Sequence, residues 1–123
     1  MQNAETTVLS FTNDPEHLLE REAAIRNSGF GVISVSSEVA ARFEIEMGRC
    51  GVLLICYTIP PPVARELAAL FRVSCPAGLI IVITTEQKTV LSSADADLIV
   101  PASDGPDAIV RTLHMNLTQR KAG

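Results

Sequence analysis

The chain has 123 residues, 47% of them hydrophobic and 20% charged, with a formal net charge of -4 and a pI near 5.1. That length and apolar content predict one domain over 1–123 with a core that needs no metal or disulfide support. The acidic balance argues against a nucleic-acid surface, which requires clustered Lys and Arg; the only basic run is Arg120-Lys121.

No apolar run approaches the ~20 residues of a membrane-spanning helix, and the polar start MQNAETT lacks the character of a signal peptide. A cytoplasmic protein is expected. Three cysteines, an odd number, fit a reducing compartment better than a disulfide framework.

In chain order, TTVLSF (6–11) reads as the first strand. Asp14-Pro15 opens a helix, with Asp at the N-cap and Pro at the first helical position. Leu18, Leu19, Ala23 and Ile25 are expected on one side of it, and Gly29 closes it. GVISV (31–35) is a second strand, followed by a helix carrying Val39, Phe43 and Met47 at steps of four. GVLLIC (51–56) is apolar throughout, as a strand covered on both faces should be, and it ends on a thiol.

Tyr57 and the prolines 60–62 come next, the prolines starting a third helix with Val63, Leu67, Leu70 and Phe71 at i, i+4, i+7 and i+8. GLIIVIT (78–84) is the fourth strand. The segment EQKTVLSSADA has room for a turn or two of helix, so the fourth helix is expected to be short. DLIV (97–100) is the fifth strand, and a last helix runs from about Pro106 to Thr118 with Ile109, Leu113 and Leu117 in a stripe.

Strand–helix alternation of this kind predicts an α/β fold: a doubly wound parallel sheet of five strands, order 2-1-3-4-5, with helices on both faces. Ligands in such folds bind beyond the carboxyl ends of the strands, where the winding reverses between strands 1 and 3. Thr12, Asn13 and Asp14 lie at one of those ends and Cys56 with Tyr57 at the other. Thr84 and Thr85 are adjacent, at the end of strand 4.

At these residues the chain resembles a receiver domain of bacterial two-component response regulators, from about Thr7 to the C-terminus. VLSFTND resembles the first strand with its paired acidic residues. LICYTIPP resembles the phosphoacceptor strand, VITTE the strand with the switch Thr or Ser, and SADADLIVP the strand bearing the lysine. The resemblance implies a flavodoxin-like fold and a signalling module rather than an enzyme, with other signalling proteins as partners and a homodimer through the last helix. It also implies a working surface over the fourth helix, fifth strand and last helix, here Asp97, Pro101, Ile109 and Leu113.

Matched position by position, the acidic pair falls on Thr12 and Asn13, the phosphoacceptor aspartate on Cys56, and the lysine on Val100. Thr84 keeps the switch hydroxyl, and the aromatic that couples to it falls on Asp97. Mg²⁺ wants oxygen ligands, usually one or two of them carboxylates, and a thiol is a poor substitute. The expectation is therefore a module that works without aspartyl phosphorylation, cofactor or metal.

Two alternatives stay open: a redox or ligand sensor using Cys56, and a receiver still phosphorylated with the help of Asp14. Against the first, nothing near Cys56 in sequence would lower the pKa of its thiol. Against the second, Asp14 is expected to be occupied as a helix cap. A phosphatase-type cysteine loop is excluded, because CYTIPPPVAR contains three prolines without the N–H that binds phosphate. His17 and His114 have no partner at metal-ligand spacing. Glu22 and Arg26 form an ordinary i,i+4 pair.

Overall fold

Unbroken runs of Val, Ile and Leu leave a strand no polar face, so it is stable only between two layers. Every residue of the strand Leu79–Thr84 is buried in this way. The computed structural model describes residues 4–85 and 95–122, with side chains up to 117 in the last helix. Five parallel strands form one sheet: β1 Thr7–Phe11, β2 Gly31–Val35, β3 Val52–Ile55, β4 Leu79–Thr84 and β5 Leu98–Pro101. Their order is β2-β1-β3-β4-β5, the expected doubly wound arrangement. Register is continuous across the centre, with Phe11 opposite both Val35 and Ile55, and Ile55 opposite Val82.

The connecting helices are α1 Pro15–Asn27, α2 Glu38–Met47, α3 Pro61–Ser74 and α4 Gly105–Ala122. Period-2 alternation divides the strand residues between two cores. Leu9, Phe11, Leu53, Ile55, Ile80 and Val82 pack under α2 and α3, with Ile45, Leu67 and Phe71. Val8, Val52, Leu54, Ile81 and Ile83 pack under α1 and α4, with Ile25, Ile109 and Leu113. The expected short fourth helix lies outside the described residues.

Helix ends follow their chemistry. The Asp14 carboxylate accepts hydrogen bonds from the Glu16 and His17 backbone N–H groups, as an N-cap should. The Ser37 hydroxyl caps α2, which ends at Gly48 with φ 68°, a left-handed conformation suited to glycine. Gly51 is required for a different reason: a Cβ there would lie 2.7 Å from the Glu5 backbone.

Two helix faces differ from expectation. On α1 the residues turned inward are Arg21 and Ile25, while Leu19 is 69% exposed and Ala23 is exposed. Leu18, Arg21 and Ile25 are spaced i, i+3 and i+7, a better helical face than the one that includes Leu19 and Ala23. On α2 the sheet takes Ala41 and Ile45, and Val39, Phe43 and Met47 face solvent. These two stripes lie on nearly opposite sides of the helix, and small Ala41 allows the closer approach.

The surface assignment is corrected in part. Ile109 and Leu113 are 3% and 0% exposed and belong to the core under α4. Asp97 and Pro101 are exposed. No helix among the described residues is long and apolar enough to cross a membrane.

Candidate functional site

Cys56 follows Ile55 at the carboxyl end of β3, and its side chain falls on the α1/α4 face by alternation. Its N–H donates to the Phe11 carbonyl at 3.1 Å, which fixes it beside the end of β1. Thr12 continues β1 on the same face, and both residues are 0% exposed. The loop after β3 then folds back, and Ile59 N–H donates to the Cys56 carbonyl at 3.1 Å. That turn brings Thr58 to the end of β1, with its Oγ1 at 3.3 Å from Thr12 Oγ1.

The neighbouring positions are already engaged. The Asp14 N–H donates to Thr12 Oγ1 at 3.2 Å. The Asn13 amide donates to the Thr58 carbonyl at 3.4 Å. Asp14 caps α1, and its other carboxylate oxygen lies 3.5 Å from His17 Nδ1. The His17 ring stands edge-on to Tyr57, with centroids 6.0 Å apart.

Arg21 is the residue that sequence reasoning missed. It lies on the inner face of α1 and is only 6% exposed, a rare state for a charged side chain without a partner. Ion pairs among the described residues engage Arg26, Arg42, Arg49 and Arg72, and none includes Arg21. Arg21 makes a small contribution, the least of several, to lowering the Cys56 thiol. Arg21 also lines a cavity of about 70 Å³ together with His17, Glu20, Val100 and Gly105.

These contacts set the state of the thiol. Burial pushes it up, but hydrogen bonds from the Thr12 and Thr58 hydroxyls, the Thr58 backbone and the Arg21 side chain together outweigh burial. The thiol therefore lies below its ordinary 9.0. The expectation that nothing lowers it fails mainly through the Thr12 and Thr58 hydroxyls, with a smaller contribution from Arg21 on α1.

The other matched positions are less unified. Val100 is 5% exposed and packs in the α4-side core, at the edge of the cavity that holds Arg21. Thr84 is buried, and alternation along β4 puts it with Ile80 and Val82, on the opposite face from Cys56. Thr85 is half-buried beyond the strand end. The crevice thus gathers Thr12, Asn13, Cys56 and Thr58 at its centre.

This donor set does not suit Mg²⁺, the ion that receiver-type phosphorylation uses. Thr12 offers a neutral oxygen already in hydrogen bonds and Asn13 a neutral amide oxygen, Asp14 is held at the helix cap, and sulfur is too soft a ligand. Among the described residues no group of three or more His, Cys, Asp or Glu side chains converges on a metal position.

No protein-family model matches the sequence, and no curated protein matches it. Solved structures do. The chemotaxis response regulator CheY4 of Vibrio cholerae is 16% identical with a TM-score of 0.77, over 89% of this chain and 97% of that one. A response regulator receiver domain protein from Clostridium thermocellum is 14% identical with a TM-score of 0.75, over 95% and 98%. A CheY-like receiver domain protein from Methanospirillum hungatei is 17% identical with a TM-score of 0.75, over 95% and 98%. At these identities the likeness is one of fold: the chain has the CheY-like, flavodoxin-like architecture of response regulator receiver domains.

Proposed function

We propose that this chain is a receiver-type module of two-component signalling whose working state does not depend on an aspartyl phosphate. The observation that carries the reading is the content of the crevice between β1 and β3. Where a receiver needs two acidic residues, a phosphoacceptor carboxylate and a lysine, this chain has Thr12, Asn13, Cys56 and Val100. Phosphoryl transfer relies on a metal and on positioned charge, and these side chains supply neither carboxylate nor ammonium.

A module of this kind acts by binding other signalling proteins. The exposed edge at Asp97 and Pro101 supports a contact surface, since Asp97 is held by Arg72 at 3.0 Å and by the Ile80 N–H at 2.8 Å. The assignment of partners, and of a homodimer through α4, rests on analogy of fold. Incubation with acetyl phosphate and Mg²⁺, followed by intact mass, tests the central statement. The expected result is no added phosphoryl group. Stoichiometric labelling that disappears in Asp14→Ala would overturn it and make Asp14 the acceptor or metal ligand.

A further inference from the structure

We propose that the cavity under α1 is a binding site for a small carboxylate, an anion of formate or acetate size, held by Arg21. The site is distinct from the crevice between β1 and β3, since none of Thr12, Asn13 and Cys56 lines it. It stands or falls separately from the reading above, because anion binding and phosphoryl acceptance are read by different measurements.

The cavity of about 70 Å³ lies between α1, the ends of β4 and β5, and the start of α4. Its walls are apolar on the sheet side, at Ile83 and Val100, and polar on the helix side, at His17, Glu20 and Arg21. Spacing explains the polar wall. His17, Arg21 and Ile25 are four apart, so they share one row of α1, and Ile25 carries that row into the core. Among the described residues, Arg21 is the only permanent cation in the lining.

A cavity beside a helix is not by itself a site. The observation that makes this one is the state of Arg21, whose side chain lines the cavity while the residue is 6% exposed, more than nine-tenths buried. No ion pair among the described residues includes it. Glu20 stands on the same wall, but it is exposed and makes no ion pair with Arg21. Burying a guanidinium is costly unless an anion meets it. An anion that enters the cavity supplies that missing partner.

The walls also select the ligand. A guanidinium fork matches the two oxygens of a carboxylate, a geometry that a halide cannot use. One water takes ~30 Å³ of liquid volume, so a space of about 70 Å³ admits formate or acetate and excludes nucleotides and sugar phosphates. The amino end of the 18-residue helix α4 forms one wall, at Gly105 and Pro106, and the positive end of its dipole favours negative charge. Pro106 has no N–H and the Gly105 N–H donates to the Ala102 carbonyl, so this end acts through its field rather than as a cradle of donors. Asp104 and Asp107 of the same turn are exposed and stand outside the lining. His17 Nδ1 is buried without a hydrogen bond, 3.5 Å from an Asp14 carboxylate oxygen. The groups that oppose an anion are thus Glu20 in the wall and Asp14 behind His17.

The test titrates the whole protein with sodium formate and sodium acetate, at an ionic strength held constant with sodium chloride. NMR follows the Arg21 side-chain N–H and the His17 and Gly105 backbone resonances. Saturable shifts of these signals are expected with both anions, and citrate, too large for the cavity, should not reproduce them. Arg21→Met should weaken binding by about tenfold or more, through loss of a charge-assisted contact. If that variant does not fold, judged by circular dichroism, Glu20→Gln decides: removing an exposed carboxylate from the wall should tighten formate binding about two- to fivefold. The proposal fails if neither anion gives a saturable shift, if citrate shifts the same signals as strongly, if folded Arg21→Met binds as the wild type does, or if Glu20→Gln leaves the affinity unchanged or weaker.

Discussion

Cys50 and Cys56 bracket the same strand, and both are buried, at 3% and 0% exposure. Their thiols nevertheless move in opposite directions. At the amino end of β3, burial, the nearby Cys75 and the Glu44 carboxylate push Cys50 up to about 12. At the carboxyl end, burial also raises Cys56, but two hydroxyls, a backbone donor and a buried arginine bring it below 9.0. Burial alone therefore says little about a cysteine; what decides is the sign of its neighbours. The two ends of a parallel sheet differ in this way because only the carboxyl end, in this order of strands, opens where helices on the two faces diverge.

The largest expected consequence is selectivity. With Cys50 near 12 and Cys56 below 9.0, the thiolate fractions at neutral pH differ by more than about a thousandfold. Alkylation of the native protein by a small reagent such as iodoacetamide, followed by peptide mapping, should label Cys56 well before Cys50. Equal labelling of the two in folded protein would erase the contrast.

Alkaline stability reads the same difference with its sign exposed. The folded value of Cys50 stands above its ordinary 9.0, so its contribution is complete below 9.0 and is lost as pH rises through about 12. Over that window the loss is at most about 4 kcal/mol, reduced by solvent screening. Cys56 has the opposite sign: its contribution is complete above 9.0 and is lost as pH falls through its lower folded value. Urea midpoints measured across this range should fall less steeply in Cys50→Ala than in the wild type.

What was legible in the sequence explains where this contrast hid. Strand β4 and the Asp14-Pro15 cap are local features, fixed by composition and by one residue's backbone chemistry, and both appear where expected. The order of the sheet followed from alternation of elements. The buried faces of α1 and α2 were less legible. Both helices offer more than one apolar stripe, and only docking decides which is used. Arg21 shows the difficulty most clearly. It is 6% exposed, yet an arginine between Leu18 and Ile25 reads as solvent-facing until the helix is laid on the sheet.

Thr12→Val is expected to have a smaller effect. It keeps the shape of a fully buried residue while removing one hydroxyl from the sulfur and one acceptor from the Asp14 N–H. Loss of such hydrogen bonds costs about 1–2 kcal/mol. The Cys56 alkylation profile should move up toward 9.0, and the Cys50 profile should stay in place. A Cys56 profile unchanged in folded Thr12→Val would remove Thr12 from the set of groups that poise the thiol.

The smallest expected effect on the thiol comes from Asp14→Ala, although Asp14 is the nearest carboxylate in sequence to the crevice. Its carboxylate is spent on the Glu16 and His17 N–H groups at 2.9 and 3.3 Å, and its link to Thr12 runs through the backbone N–H, which alanine retains. Cap loss should cost about 1 kcal/mol and leave the pH profile of Cys56 where it is. If removing this carboxylate instead shifted the thiol, the charge at the crevice would be shared between α1's cap and its buried face. The contrast between the two ends of β3 would then rest on the start of α1 as well as on the hydroxyls of Thr12 and Thr58.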